Sequence, residues 1–176
     1  MKCKNCKEKF EPIKFLQKYC LNDECLRVFV ADVKEKTWKK TKAKAKLDLM
    51  TLSDYLKLTQ QVFNKWIRLR DKGEVCISCN KPLKVGNVDA GHMWSAGGHS
   101  NLRFNEFNVN AQCSRPCNKD KAGDINNYRL GFVEKYGIEK LNEIDFLAKN
   151  ERKFTKEELK ELIQKYKLKC KELENK

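Results

Sequence analysis

The chain has 176 residues, enough for one compact domain or for two small modules that need support beyond a hydrophobic core. Its 38 Lys and Arg outnumber 24 Asp and Glu, a formal charge of +14, which predicts an acidic polymer as partner; a merely solubilising surface is the alternative. No stretch approaches the roughly 20 apolar residues of a membrane helix, and residues 1–5 lack the apolar segment of a signal peptide, so we expect a soluble cytoplasmic protein with no membrane partner.

The first module, residues 1–30, is predicted from two cysteine pairs. Cys3 and Cys6 are separated by two residues, and Cys20 and Cys25 by four. Four thiolates from two such knuckles fit a tetrahedral structural zinc site better than the disulfides of a secreted protein.

Residues 31–52 are rich in lysine and predict a solvated helix or linker. The run extends from Lys34 to Lys46, and we expect Lys39, Lys40 and Lys42 to contact DNA phosphates as point charges.

The central region of the chain is predicted over residues 53–124. It opens with a helix from Ser53 to Asp71, whose apolar residues return at helical spacing and should pack on the cysteine-anchored segment after it. Residues 75–123 predict short strands and turns anchored by a second quartet, Cys76, Cys79, Cys113 and Cys117, with two and three residues inside the pairs. A second structural zinc is the predicted occupant; free core cysteines and an iron–sulfur cluster are the alternatives.

The segment between these cysteine pairs carries the candidate chemistry. Asp89 and His92 lie three residues apart at a predicted strand end, where a histidine can take a proton from water and a carboxylate can hold Mg²⁺ or Mn²⁺. We predict His92 as the general base and Asp89 as a metal ligand. Asn118, directly after Cys117, is predicted to complete the metal site. An isolated Asp-x-x-His pattern is more often incidental, and its place inside the cysteine quartet is what favours a catalytic interpretation.

Several polar residues around this pair are predicted to support it. Asn108 is counted with the predicted catalytic centre. Its predicted role there is structural: its side chain ties the loop to the strand through hydrogen bonds to the backbone. Arg103, Lys119 and Lys121 are candidates for phosphate contacts, although each alone can equally be a solvated surface cation. His99, after two glycines, is expected to be an exposed bystander rather than a second catalytic histidine.

Residues 125–176 are predicted to be helical. One helix spans Ile125 to Tyr136 and ends at Gly137, a second spans Ile138 to Leu147, and Thr155 opens a third through a capping box with Glu158. The apolar stripe of this last helix either packs on the body or is offered to a partner. Cys170 lies near this stripe and is interpreted as a small core residue.

Together these motifs resemble the NinG or Rap recombination endonucleases of lambdoid phages, over nearly the whole chain. The resemblance rests on these segments: Cys3–Glu8, Cys20, Cys25, Cys76–Cys79, Asp89–His92, Leu102–Glu106, Gln112–Cys113, Cys117–Asn118, Lys121–Gly123, Tyr128–Arg129 and Phe154–Glu158.

The resemblance implies a metal-dependent nuclease that cuts Holliday junctions and D-loops in the cytoplasm of the bacterial host. The arrangement is also similar to the endonuclease VII group of phage resolvases, in which the aspartate and the asparagine at the positions of Asp89 and Asn118 bind the catalytic metal. The chain departs from the common HNH pattern in having Asn118 where many members have a histidine. A relative in the family has a histidine where Asp120 stands, so Asp120 is either an additional ligand or without a role.

The sequence therefore predicts an α+β protein: an HNH-like ββα-metal core, two zinc knuckles and flanking helices. The predicted function is structure-selective cleavage of branched double-stranded DNA; the alternatives are a non-catalytic, zinc-dependent DNA-binding adaptor and a structural or assembly protein. Since resolving a four-way junction needs two symmetric cuts, a homodimer is predicted, with the helix from Ser53 or the last helix as the interface.

Overall fold

The computed structural model describes residues 1–175, apart from the side chain of Lys46. The chain forms two compact units, Met1–Met50 and a second that begins at Thr51. Residues predicted as separate regions, 53–124 and 125–176, thus share the second unit, and residue 176 lies outside the described residues. No helix within residues 1–175 is long and apolar enough to cross a membrane.

The first unit consists of the cysteine-bearing segment and one long helix, α1 (Asp23–Asp48). The Asn22 side chain accepts a hydrogen bond from the backbone N–H of Glu24, and acidic residues in the first turn favour the positive end of the helix dipole. The Lys-rich segment, for which the sequence predicts a helix or a linker, is helical in the structure, and α1 begins eight residues earlier than residue 31. It crosses the predicted boundary between residues 30 and 31, so that Cys25 lies in its first turn.

Two helices distant in sequence pack together in the second unit. Helix α2 (Leu52–Arg70) and helix α5 (Lys156–Glu174) each begin with a capping box, Thr51 with Asp54 and Thr155 with Glu158. Their buried faces meet around Phe63, whose ring centroid lies 4.8 Å from that of Tyr166. The apolar stripe of α5 therefore packs on the body, and Cys170 is buried there at 4% exposure.

The sheet has two antiparallel strands, β1 (Val88–His92) and β2 (Val109–Cys113), with Asp89 opposite Gln112 and Gly91 opposite Asn110. A short helical turn, Ser114–Asn118, follows β2 directly. Helices α3 (Ile125–Tyr136) and α4 (Ile138–Leu147) have the predicted bounds, separated by Gly137 at φ +85°. They pack together around a core that includes Tyr128, Phe132, Leu141 and Ile144, and the Tyr128 hydroxyl donates to the Gly91 carbonyl of β1 at 3.0 Å. The α+β class is thus confirmed, as a helix-rich fold.

A polar clasp joins α2 to β2. The Arg70 guanidinium donates to both Asp71 carboxylate oxygens, at 2.6 and 2.8 Å, and to the backbone carbonyls of Glu106 and Val109. Asp71 also accepts a hydrogen bond from the backbone N–H of Ala111 in β2, at 2.8 Å. Asp71 is 3% exposed, so this buried charge is paired and hydrogen-bonded, as burial requires. These hydrogen bonds hold the end of α2 against β2, whose last residue, Cys113, belongs to the second cysteine quartet.

Candidate functional site

The first cysteine quartet is assembled in the first unit. The sulfurs of Cys3, Cys6, Cys20 and Cys25 all lie within 4.8 Å of one another, with Cys6 and Cys20 Sγ 3.8 Å apart. Zn–S bonds of about 2.3 Å in a tetrahedron place sulfurs about 3.8 Å apart, so the cluster fits a structural zinc ion. Burial raises the pKa of Cys3, but hydrogen bonds from the Cys20 and Cys6 backbone outweigh it and lower that pKa to about 6.

The second quartet encloses β2 at its carboxyl end. Cys76 and Cys117 Sγ lie 3.8 Å apart, and Cys79 and Cys113 Sγ lie 3.9 Å apart. Burial, together with the neighbouring Cys76, raises the pKa of Cys113 to about 12. Four crowded thiols cannot all ionise without a compensating cation, and Zn²⁺ would supply that charge. Both predicted quartets are therefore brought together, and both are compatible with structural zinc.

Asn87 holds the turn after β2 against the start of β1. Its side chain donates to the carbonyl of Arg115 at 2.9 Å and accepts from the Arg115 backbone N–H at 3.1 Å. Its own carbonyl accepts from the Ser114 backbone N–H at 3.1 Å. The turn thereby brings Asn118 to Asp89: Asn118 Nδ2 donates to Asp89 Oδ2 at 2.9 Å.

Asp89 is poised as an anion. Burial raises its pKa, but hydrogen bonds from Asn118 and Ser114 outweigh burial and hold the pKa of Asp89 below its ordinary value. The positive charges of Lys119, with Nζ 4.0 Å from Asp89 Oδ2, and of Arg68 act in the same direction. The carboxylate is about one third exposed, so a small cation can reach it.

His92 ends β1 and is half-buried. Its Nε2 lies 3.1 Å from the carbonyl oxygen of Arg103. Burial lowers the pKa of His92, and this effect exceeds the opposing effect of the Arg103 and Ala90 carbonyls. Side chains three residues apart leave opposite faces of a regular strand, and within residues 1–175 no hydrogen bond joins His92 to Asp89 or Asn118.

Gly91 and Gln112 form a close contact that the sequence pattern did not predict. A Cβ at Gly91 would lie 2.3 Å from Gln112 Oε1, so a side chain there would clash with Gln112. Gln112 is fully buried, and its Nε2 donates to Ser78 Oγ and to the Gly123 carbonyl, both at 2.6 Å. Gln112 thus links β2 to Ser78, which lies between Cys76 and Cys79, and to Gly123, which lies just before α3. In the sequence, Gly91 and Gln112 are marked only by membership of the family motifs.

Asn108 is fully buried at the base of the loop between the strands. Its Oδ1 accepts from the Trp94 backbone N–H at 2.8 Å, and its Nδ2 donates to the carbonyls of Trp94 and Leu102 at 2.9 and 3.0 Å. These contacts hold the loop that carries Arg103.

His99 does not have the exposed position expected for it. Its Nδ1 lies 2.9 Å from the Ala148 carbonyl, and its ring centroid lies 4.5 Å from that of Trp94. The two preceding glycines predict a free loop, but that loop is tied to α4 by this bond and by Asn101, which donates to the Leu147 carbonyl. His99 is thus a half-buried structural residue.

The remaining cations and Asp120 occupy varied positions. Arg103 Nε donates to the Ala96 carbonyl at 3.1 Å, and Lys121 lies 3.4 Å from Asp124. Asp120 is exposed and lies 3.5 Å from Arg115 Nε, in the setting of an ordinary surface carboxylate. Arg68, which the sequence pattern also did not single out, is brought towards Asp89 only by the fold.

The lysines of α1 are exposed. Lys39 Nζ pairs with Glu35 at 2.5 Å, and Lys42 Nζ lies 4.7 Å from the Trp38 ring centroid. Lys40 is exposed between them. All three belong to the first unit, whereas Asp89, His92 and Asn118, together called the Asp89 cluster, belong to the second.

Comparison with known proteins gives one family. The family model described as "NinG: Bacteriophage Lambda NinG protein" matches residues 1–176. Protein ninG of Escherichia phage 933W is 34% identical, over 99% of this chain and 94% of its own length. Protein ninG of Escherichia phage lambda is 38% identical, over 74% of this chain and 62% of its own length. No solved structure matches.

Proposed function

We propose a function for this chain from the premise that it belongs to the NinG family of phage proteins. The proposal is a metal-dependent endonuclease that cuts branched DNA, such as Holliday junctions and D-loops, by phosphodiester hydrolysis. The observation that carries it is the contact between Asp89 and Asn118, two oxygen-bearing side chains held 2.9 Å apart beside a zinc-compatible quartet.

The Asp89 and Asn118 side chains suit a hard divalent cation. Mg²⁺ is typically bound by one or two protein oxygens while keeping waters and substrate phosphate as its other ligands. Asn118 here turns its Nδ2 towards Asp89, so binding a cation would require a turn of the amide that presents Oδ1 instead. Bound there, Mg²⁺ or Mn²⁺ would offset negative charge on the scissile phosphate and the leaving oxygen.

His92 is proposed as the general base. When Nε2–H donates to the Arg103 carbonyl, the lone pair of Nδ1 can accept a proton from water. Its lowered pKa keeps the ring neutral at physiological pH. Arg68 and Lys119 are proposed to hold the phosphates that flank the cut, since both already act on the Asp89 charge.

Two symmetric cuts in a four-way junction favour a homodimer. The faces predicted for its interface are occupied, because α2 and α5 bury their apolar stripes against each other through Phe63 and Tyr166. A dimer would have to use other surfaces.

The test is cleavage of a labelled four-way junction and of a matched linear duplex, with Mg²⁺ or Mn²⁺ supplied and withheld. We expect metal-dependent cutting of the junction, little cutting of the duplex, and a loss of about 10²–10⁴-fold in rate for His92→Ala. Asp89→Asn should lose cutting while keeping junction affinity.

Asp120→Asn is the matched control, because it neutralises an exposed carboxylate near the same turn. If Asp120→Asn and Asp89→Asn are equally active, Asp89 is not a metal ligand. Tight junction binding by the wild-type protein without cutting in any divalent metal would replace the nuclease with a zinc-dependent DNA-binding adaptor.

A further inference from the structure

The first unit has an exposed apolar groove of about 500 Å³ that the proposed chemistry does not use. It lies between the loop joining the two cysteine pairs and the first turns of α1. Phe15 on this loop is 94% exposed, and its neighbours Ile13 and Leu16 are 72% and 66% exposed. Isolated exposed apolar residues are ordinary, but a contiguous group of this kind marks a binding surface.

The loop holds Phe15 in the solvent by a defined turn. Gln17 Oε1 accepts from the backbone N–H groups of Ile13 and Lys14, at 2.9 and 3.4 Å. Gln17 Nε2 donates to the Tyr19 carbonyl at 2.8 Å, and the Gln17 backbone N–H donates to the Lys14 carbonyl at 3.1 Å. Hydrogen bonds within the loop therefore hold the phenyl ring of Phe15 in its exposed position.

The groove pairs aromatic surface with positive charge. Tyr19 and Phe29 line it with ring centroids 5.6 Å apart, and Lys14, Lys18 and Lys36 also line it. Asp32, which also lines the groove, is paired with Lys36 at 2.7 Å and with Lys4 at 3.6 Å. Residues 1–50 as a whole contain 14 Lys and Arg against 7 Asp and Glu. Charge complementarity therefore favours an anionic occupant with flat apolar parts.

We propose that this groove binds an unstacked nucleobase of single-stranded or branched DNA, with Phe15 stacking on the base and lysines contacting the adjacent phosphates. Aromatic side chains bind bases in a sequence-tolerant way because every base has a π-face, and cations in the same groove follow the backbone. A base inside a continuous duplex is covered on both faces, so the groove selects unpaired positions. This inference shares only its class of ligand, DNA, with the proposed nuclease function.

The test is binding of the full-length protein to a short labelled oligothymidylate and to a blunt duplex of equal charge, without added divalent metal so that no cutting occurs. We expect Phe15→Ala to weaken oligothymidylate binding about tenfold or more and to leave duplex binding unchanged. An oligonucleotide carrying 2-aminopurine should lose fluorescence on binding wild-type protein, and less on binding Phe15→Ala.

Two further variants at the same position separate stacking from simple apolar contact. Phe15→Trp should keep both affinity and quenching, whereas Phe15→Leu, which keeps apolar volume without a flat face, should lose both. Phe146→Ala is the matched control, because Phe146 is a 66% exposed phenylalanine of the second unit. It should behave as wild type.

Three results would overturn the inference. Wild-type binding by Phe15→Ala removes the ring from DNA recognition. Equal behaviour of Phe15→Leu and Phe15→Trp shows that the side chain at this position does not stack on a base. A change of oligomeric state in Phe15→Ala with unchanged DNA binding indicates a second copy of the chain. Since none of these measurements depends on cutting, they leave the nuclease proposal to be judged by His92 and Asp89 variants alone.

Discussion

His92 illustrates how a single environment sets the chemistry of a residue. Burial lowers the pKa of His92 from its ordinary value of about 6.5, and the Arg103 guanidinium adds to this lowering. The neutral imidazole, which is the form able to accept a proton, is therefore maintained to a lower pH than in a free histidine.

This direction predicts the acid limb of the pH profile. Activity should be highest above neutral pH and should fall as the pH drops through the pKa of His92, which lies below 6.5, because the imidazolium cannot act as a base. Single-turnover kcat/KM for junction cleavage against pH measures the midpoint. Arg103→Gln, which removes a charge that disfavours the imidazolium, should move the midpoint upward. A wild-type midpoint above pH 6.5 would contradict the assignment of His92 as base.

At this scale, sequence spacing predicts residues whose partners are determined locally. The cysteine quartets follow from paired spacing, and Asn118 is brought to Asp89 by the turn that the second quartet anchors. Gly91 against Gln112 could not be predicted from periodicity, because that contact depends on how β1 and β2 are paired. The effect of Arg68 on Asp89 likewise depends on where α2 packs.

At the scale of elements, the helices likewise have some ends with a local sequence signal and others without one. Gly137 and the Thr155–Glu158 capping box are local signals, and they predict where α3 ends and where α4 and α5 begin. The predicted start of α1 is too late, because the spacing of Cys25 indicates only a knuckle residue. In the structure, Cys25 serves both the helix and the quartet.

Each cysteine quartet should hold its own zinc ion. We expect two zinc ions per chain by elemental analysis of the purified protein. Cys25→Ser and Cys76→Ser should each reduce the content towards one, since each removes a ligand from a different cluster. Cys76→Ser should also abolish cutting, because the turn that carries Asn118 loses its anchor.

Cys170→Ser is the control for this prediction, because Cys170 is buried on α5 and belongs to neither quartet. It should retain two zinc ions. Equal zinc content in Cys170→Ser and Cys76→Ser would show that the second quartet is not a zinc site.

For the whole molecule, residues 1–50 carry half of the net charge, since their 14 Lys and Arg against 7 Asp and Glu give +7 of the total of +14. The exposed lysines of α1 lie in this unit, whereas the Asp89 cluster lies in the other. This division separates two contributions to DNA binding: counterion release by lysines, which is independent of DNA structure, and the geometry of the candidate cutting site.

Neutralising the α1 lysines should therefore change how affinity depends on salt. Each phosphate contact contributes about −0.9 to the slope of log affinity against log salt concentration on duplex DNA. Replacing Lys39, Lys40 and Lys42 by Gln should make that slope less negative, by up to about three times the contribution of one contact. Fluorescence anisotropy at several salt concentrations measures the slope. The control replaces three exposed lysines of α5, Lys160, Lys167 and Lys171, and thus removes the same net charge. Equal slopes for the two triple variants would mean that α1 contributes only to net charge, whereas a flatter slope for the α1 variant alone would locate phosphate contacts on that helix.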